Sequence, residues 1–201
     1  VSQTERSSDG KKHEEQSIVT NAAAITAKMT QHLIDLGHRD IAFVRGHPDH
    51  GAVCNRYDGY VEAMDKAGIE LNKDWIIQGY NSVDSGEECA RQLLRLADAP
   101  TAIFAANDDM AAGALRAAHA LGIHVPSQLS VAGFDDTPIA RQVWPALTTI
   151  RQPIRHMAEQ ATELLLRQLR DEPSDDLARR SDCGLILRDS TAAAPQVRRA
   201  G

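Results

Sequence analysis

PTAIFAANDDMAAGALRAAHALGIHVPSQLSVAGF, Pro100 to Phe134, decides the fold. Ala102 to Ala105 is an apolar run too short for a helix and predicts a strand. Asp109 to Leu121 predicts a helix, stopped by Gly122, which tolerates the positive φ of a helix end. Ser130 to Phe134 is a second short strand. Strand, helix and strand in this order predict a right-handed βαβ unit on a parallel sheet.

The same alternation extends upstream. Ile18 to Thr20 predicts a strand, and Asn21 can cap a helix carrying Ile25, Met29, Leu33 and Leu36 at helical spacing up to Gly37. Ile41 to Val44 predicts a second strand, and Arg45 to Asn55 a loop containing Gly and Pro. Arg56 to Ala67 predicts a helix with Tyr57, Tyr60, Val61 and Met64 on one face, closed by Gly68. Trp75 to Gln78 predicts a third strand and Val83 to Ala97 a helix. Five short strands separated by four helices imply an α/β, doubly wound, Rossmann-like parallel sheet. Downstream, Thr148 to Pro153 reads as extended, Ile154 to Arg170 as a helix, Asp171 to Cys183 as a polar loop and Leu185 to Arg188 as a short closing strand. Val1 to Gln16, polar after its first residue, reads as a disordered leader. Thr191 to Gly201 reads as a frayed tail.

Composition narrows the function classes. The 201 residues are 42% hydrophobic and only 4% aromatic, which favours helices over all-β architectures. The net charge of −6 and scattered Lys and Arg argue against a domain that grips nucleic acid by itself. Cys54, Cys89 and Cys183 are far apart and odd in number, so neither a disulfide framework nor a zinc cluster is expected. No apolar run approaches the ~20 residues that span a bilayer, and the leader lacks the apolar core of a signal peptide. A reducing cytoplasm is the expected compartment.

In a doubly wound sheet, ligands bind beyond the carboxyl ends of the strands. The loops there supply Arg56, Tyr80-Asn81, Asn107-Asp108-Asp109 and Asp135-Asp136. Forked donors, amides and carboxylates suit vicinal hydroxyls, so a sugar or polyol is the natural ligand. Each residue also has a plain structural reading. Asp108 or Asp109 can be the cap of the helix that follows, Asp135 and Asp136 can cap the turn before Pro138, and Arg56 can be a solvated helix start. His47-Pro48-Asp49-His50 reads as a loop rather than a metal pair. No nucleophile elbow, P-loop or dinucleotide fingerprint is present. No catalysis, metal or cofactor is expected.

Pro100 to Pro153, with its linked A-N-D, V-P, S-V-A-G-F-D-D and P-A-L-T-T-I-R-Q-P segments, resembles the lactose/galactose repressor family of bacterial regulators. HLIDLGHRDIAFVRG (His32 to Gly46), NRYDGYVEAMDKAGI (Asn55 to Ile69) and LILRDSTAAAP (Leu185 to Pro195) follow the same family in the same order. The resemblance covers residues 17 to 195. It implies the effector-binding core of a transcription regulator, with periplasmic-binding-protein-like type I lobes, a small-molecule effector between them, a homodimer, and DNA contacts only through an N-terminal helix-turn-helix that this chain lacks. Residues 17–153 would be the C-terminal lobe, 154–172 a helix of the other lobe, 173–191 a closing loop and strand, and 192–201 a disordered tail. By motif, Arg56, Asn107 and Asp135 match effector contacts, and Gln152 and Ile154 fall on a crossover bordering the pocket. Asn81 stands where the family usually places an aromatic that stacks on a sugar. The helix around Leu115 and the segment Ile139 to Trp144 would be the dimer surface. A sugar-binding protein for transport and a truncated regulator fragment are the alternatives.

Overall fold

The computed structural model describes residues 17–49, 51–170 and 178–196. The leader 1–16, the stretch 171–177 and the tail 197–201 lie outside the described residues.

The chain runs β1 (Ser17–Thr20), α1 (Ala22–Asp35), β2 (Ile41–Arg45), α2 (Gly51–Lys66), β3 (Ile76–Gln78), α3 (Val83–Leu94), β4 (Ala102–Ala105), α4 (Asp108–Ala120), β5 (Ser130–Ala132), α5 (Ile139–Gln142), β6 (Thr149–Arg151), α6 (Ile154–Leu169), β7 (Ala178–Ser181) and β8 (Gly184–Ile186). The local physics of these elements is simple. Ile25, Met29 and Leu33 recur every four residues on α1 and are all buried. Each such side chain taken out of water contributes about 1.5–3 kcal/mol. Gly37, Gly68 and Gly122 all take positive φ directly after helices.

Several elements depart from the sequence expectation. Helix α2 starts at Gly51, so Arg56 sits inside it and not at its mouth. Pro48 is the last residue before it that forbids a helix, and the chain from Gly51 to Lys66 carries no further proline. Trp75 belongs to a 3-10 turn, Lys73–Trp75, capped by Asn72, which shortens β3. Asn21 precedes α1 but caps nothing with its side chain. Its Oδ1 instead accepts from the Cys183 backbone N–H at 2.8 Å.

A four-stranded parallel sheet has the order β3-β2-β4-β5. Phe43 pairs with Ile76 on one side and Phe104 on the other, which fixes the register. The chain moves from β2 outward to β3, then back past β2 to β4. Right-handed crossovers therefore put α2 and α3 on opposite faces, and α1 packs with α2 and α3 with α4. Glycines allow both pairs to approach closely. A Cβ on Gly59 would lie 2.0 Å from the Ala23 carbonyl oxygen, and one on Gly113 would lie 2.1 Å from that of Val83 and 2.5 Å from the Glu87 backbone nitrogen. These neighbours are backbone and cannot step aside. Gly113→Ala is expected to cost about 1–3 kcal/mol by overpacking. A urea midpoint that falls at unchanged slope would show it.

The five-stranded parallel sheet expected from the sequence is thus a four-stranded one. β1 pairs instead with β7, in parallel, with Ile18 opposite Arg179. Among the described residues β1, α6 and β7 form one compact unit, and the remaining elements form a second. β6 and β8 make an antiparallel pair in the second unit.

The tail is not frayed as far as Gln196. Ser190 O accepts from Val131 N at 2.8 Å, and Ala194 N donates to Leu36 O at 2.8 Å. Fully buried His38 reaches Thr101 Oγ1, Ser130 Oγ and the Ala192 carbonyl within 3.0 Å. Leu115 is buried in the core of its own chain, whereas Trp144 is 88% exposed.

Candidate ligand site at the switch point

β2 and β4 lie side by side while the chain leaves them in opposite directions. Their carboxyl ends therefore diverge, and a crevice opens there. Five of the expected site residues converge on that edge. Arg56, from the second turn of α2, is 8% exposed. Its Nη1 donates to the Ala106 carbonyl just past β4, and its Nη2 pairs with Asp135 Oδ1 at 3.2 Å. The guanidinium lies 3.8 Å over the ring of Phe134, a cation–π floor. Arg56 Nε is buried without a hydrogen-bond partner among the described residues.

Asp135 is held in an unusual conformation, φ +121, by its N–H to Ile150 O at 2.7 Å. A non-glycine residue there stores about 1–3 kcal/mol of strain. The turn aims its carboxylate at Arg56 and at Gln152 Nε2, which donates to the same Oδ1 at 2.6 Å. No group among the described residues donates to Oδ2. Burial raises the Asp135 carboxyl, opposed by the Arg56 charge and the Gln152 and Arg56 hydrogen bonds. Burial likewise lowers the Arg56 guanidinium, opposed by Asp135. The cluster is a half-satisfied ion pair with a carboxylate oxygen left over.

Asn107 caps α4: its Oδ1 accepts from Met110 N at 2.9 Å, and its Nδ2 donates to the Asn81 carbonyl at 3.2 Å. The cap expected at Asp108 or Asp109 is therefore supplied one residue earlier. Asn81 takes a left-handed φ of +61 and accepts from His47 N at 3.2 Å, tying the loops after β2, β3 and β4 together. Tyr80 beside it is exposed and meets His47 edge-on at 5.8 Å. Ile154 opens α6, in the other unit, and its side chain is exposed. The structure thus brings Arg56, Asp135 and Gln152 into contact and joins Asn107 to Asn81.

Two residues that sequence reasoning passed over organise this edge. Phe134 floors Arg56, although as the last apolar residue before Asp-Asp it read only as a strand end. Asp108 is fully buried. Its Oδ2 accepts from Thr137 N at 2.8 Å and its Oδ1 from Thr149 Oγ1 at 2.5 Å, which binds the start of α4 to the 135–137 turn and to β6. A Cβ on Gly133 would sit 2.5 Å from Asp108 Oδ1, so a larger residue there would displace the Asp108 carboxylate. Nor does Asp136 cap the turn: its carboxylate is 1% exposed and bonded to arginines. Among the described residues no three His, Cys, Asp or Glu side chains are grouped to hold a metal, and no helix is long and apolar enough to cross a membrane. A cleft of 450 Å³ lined by Val61, Glu62, Asp65, Ile69, Glu70 and Leu71 lies by the far end of α2 and contains none of these residues.

A doubly wound parallel sheet with its polar cluster at the switch point defines a periplasmic-binding-protein-like α/β domain. The chain belongs to that family: the model of a periplasmic binding protein-like domain matches residues 30–191. It represents part of a core of the lactose/galactose repressor type. It is similar to the HTH-type transcriptional repressor PurR of Serratia proteamaculans, 37% identical over 179 residues, or 89% of this chain and 52% of the relative. It is also similar to the solved structure of a LacI-family sugar-binding transcriptional regulator from Escherichia coli complexed with phosphate, at 34% identity and a TM-score of 0.80, covering 88% of this chain and 63% of that one. A LacI-family regulator from Enterococcus faecium with bound ribose matches at 28% identity and a TM-score of 0.81, covering 91% and 68%. The chain spans about half the length of the curated relatives it matches.

Proposed function

We propose that this chain is the effector-binding core of a bacterial LacI-type transcription regulator, in which a small sugar or polyol favours one arrangement of two lobes and so controls DNA binding. Asn21–Pro153 supplies most of one lobe, and α6 belongs to the other. DNA is read by a separate helix-turn-helix of the kind that the relatives' name denotes, in the cytoplasm, and the protein acts as a homodimer with Trp144 at its contact surface. No catalytic step is part of this reading.

The observation that carries it is the Arg56–Asp135–Gln152 cluster. Asp135 Oδ2 is oriented by its neighbours yet has no partner among the described residues, so it is ready to accept from a ligand hydroxyl. Arg56 pairs with the other oxygen of that carboxylate, and Asn107 brings its side-chain amide to the same edge of the sheet. Asn81 offers no stacking surface, which favours a ligand held mainly by hydrogen bonds.

Calorimetric titration with ribose, glucose, cellobiose and ribitol tests the reading. One of these is expected to bind saturably, with Asp135→Ala weakening it about 10–100-fold, as loss of a charged hydrogen bond does. Equal affinity in both proteins would place the site elsewhere.

A further inference from the structure

Gln152 and Arg151 are neighbours on one extended segment, and Asp135 and Asp136 are neighbours on the turn beside it. The inner pair, Gln152 with Asp135, belongs to the site just described. The outer pair leads to a different cluster. Asp136 Oδ1 receives Arg188 Nη2 at 2.5 Å, while Oδ2 receives Arg151 Nε at 2.6 Å and Arg141 Nη2 at 3.4 Å.

One carboxylate needs one cation. Arg188, 14% exposed, already fills that role and anchors its other arm on the Leu147 carbonyl at 2.8 Å. Arg151 and Arg141 are then surplus positive charges, 51% and 64% exposed, drawn to the same oxygen and so forced close together. Like charges in that position repel, and an anion between them relieves the repulsion. Arg151 is spent only through Nε. Its two Nη groups, the forked end that matches phosphate and carboxylate oxygens, have no acceptor among the described residues. The buried Asp136 beneath them fixes the orientation of both guanidiniums in advance.

We propose that Arg151 and Arg141, backed by Asp136, form a binding site for a small phosphate-bearing anion. This site is distinct from the Arg56–Asp135 cluster and does not depend on the function proposed for that cluster. A phosphate monoester can thread its oxygens between the Nη groups of Arg151 and the guanidinium of Arg141.

Inorganic phosphate and glucose 6-phosphate, titrated into the purified protein at low salt with sodium chloride matched for ionic strength, provide the test. Saturable binding tighter than ~10 mM is expected, weakened at least about 10-fold in Arg151→Gln and abolished in the Arg141→Gln, Arg151→Gln double variant. Asp135→Asn is expected not to weaken it. Melting temperatures without phosphate confirm that the variants fold. Preferential binding of glucose 6-phosphate over inorganic phosphate would identify a sugar phosphate as the source, and equal binding the free anion. A double variant that binds phosphate as well as the wild type, or a wild type that responds no more to phosphate than to chloride, would overturn the proposal.

Discussion

Arg56→Ala is expected to destabilise the protein by about 3 kcal/mol and to remove ligand binding altogether. The loss has three parts: a donor to the Ala106 carbonyl, the stack on Phe134 and the counter-charge of Asp135. Removing one partner of a buried ion pair typically costs 3–5 kcal/mol. The Asp135 side chain is 23% exposed here, so water recovers part of the loss and the lower figure applies. A second replacement separates the contributions. Once Arg56 is gone, Asp135 is a buried carboxylate without a cation, so Asp135→Asn in the Arg56→Ala background is expected to restore stability. In the wild-type background the same change should lower it. Urea unfolding of the four proteins reads the coupling directly. Additive effects would mean that the two side chains do not hold each other.

Stability should fall by about 2 kcal/mol between pH 4 and pH 7 on account of Asp108 alone. Burial pushes its carboxyl up to about 6, against the hydrogen bonds from Thr149 and Thr137, whereas the unfolded chain titrates at the ordinary 3.8. The folded state holds the proton more tightly. Its contribution is complete below about 3.8 and is lost as pH rises through about 6. The full gap corresponds to about 3 kcal/mol, of which about 2 kcal/mol falls between pH 4 and pH 7. Asp136 acts in the opposite sense. Burial raises its carboxyl, but hydrogen bonds and charge from Arg188 and Arg151 outweigh that and hold it below the ordinary carboxylate value. Its stabilisation is present above about 3.8 and disappears as pH falls through the lower folded value, outside the window of Asp108. Asp108→Asn cannot titrate. Relative to wild type, it should therefore gain about 2 kcal/mol on going from pH 4 to pH 7 in urea unfolding. A constant difference between the two proteins across that range would show that Asp108 keeps an ordinary carboxyl.

Both predictions concern residues whose roles were unequally legible. Arg56 and Asp135 were expected at the site because each lies beyond a strand and both match a family motif. That Arg56 is buried, stacks on Phe134 and leaves Asp135 Oδ2 free is a property of three segments meeting. Asp108 read only as a possible helix cap, the ordinary role of aspartate at such a position. Asn107 does the capping, which turns Asp108 inward onto Thr137 and Thr149. Nothing within a helix turn of Asp108 announces partners 29 and 41 residues away.

The sequence by itself determined the α/β class, the central elements, the glycine stops after α1, α2 and α4, and the edge of the sheet where polar groups gather. Each follows from interactions within a few residues: hydrophobic period, positive φ and the absence of proline. Only the tertiary structure decided that β1 leaves the main sheet to pair with β7, that Ala192 and Ala194 are latched by His38 and Leu36, and that Asp136 lies beneath arginines. Those outcomes depend on contacts between residues as many as 161 positions apart, such as Ile18 with Arg179. A strand's alternation shows that it needs a partner without naming which one, and a charged residue next to a turn does not reveal what folds back over it.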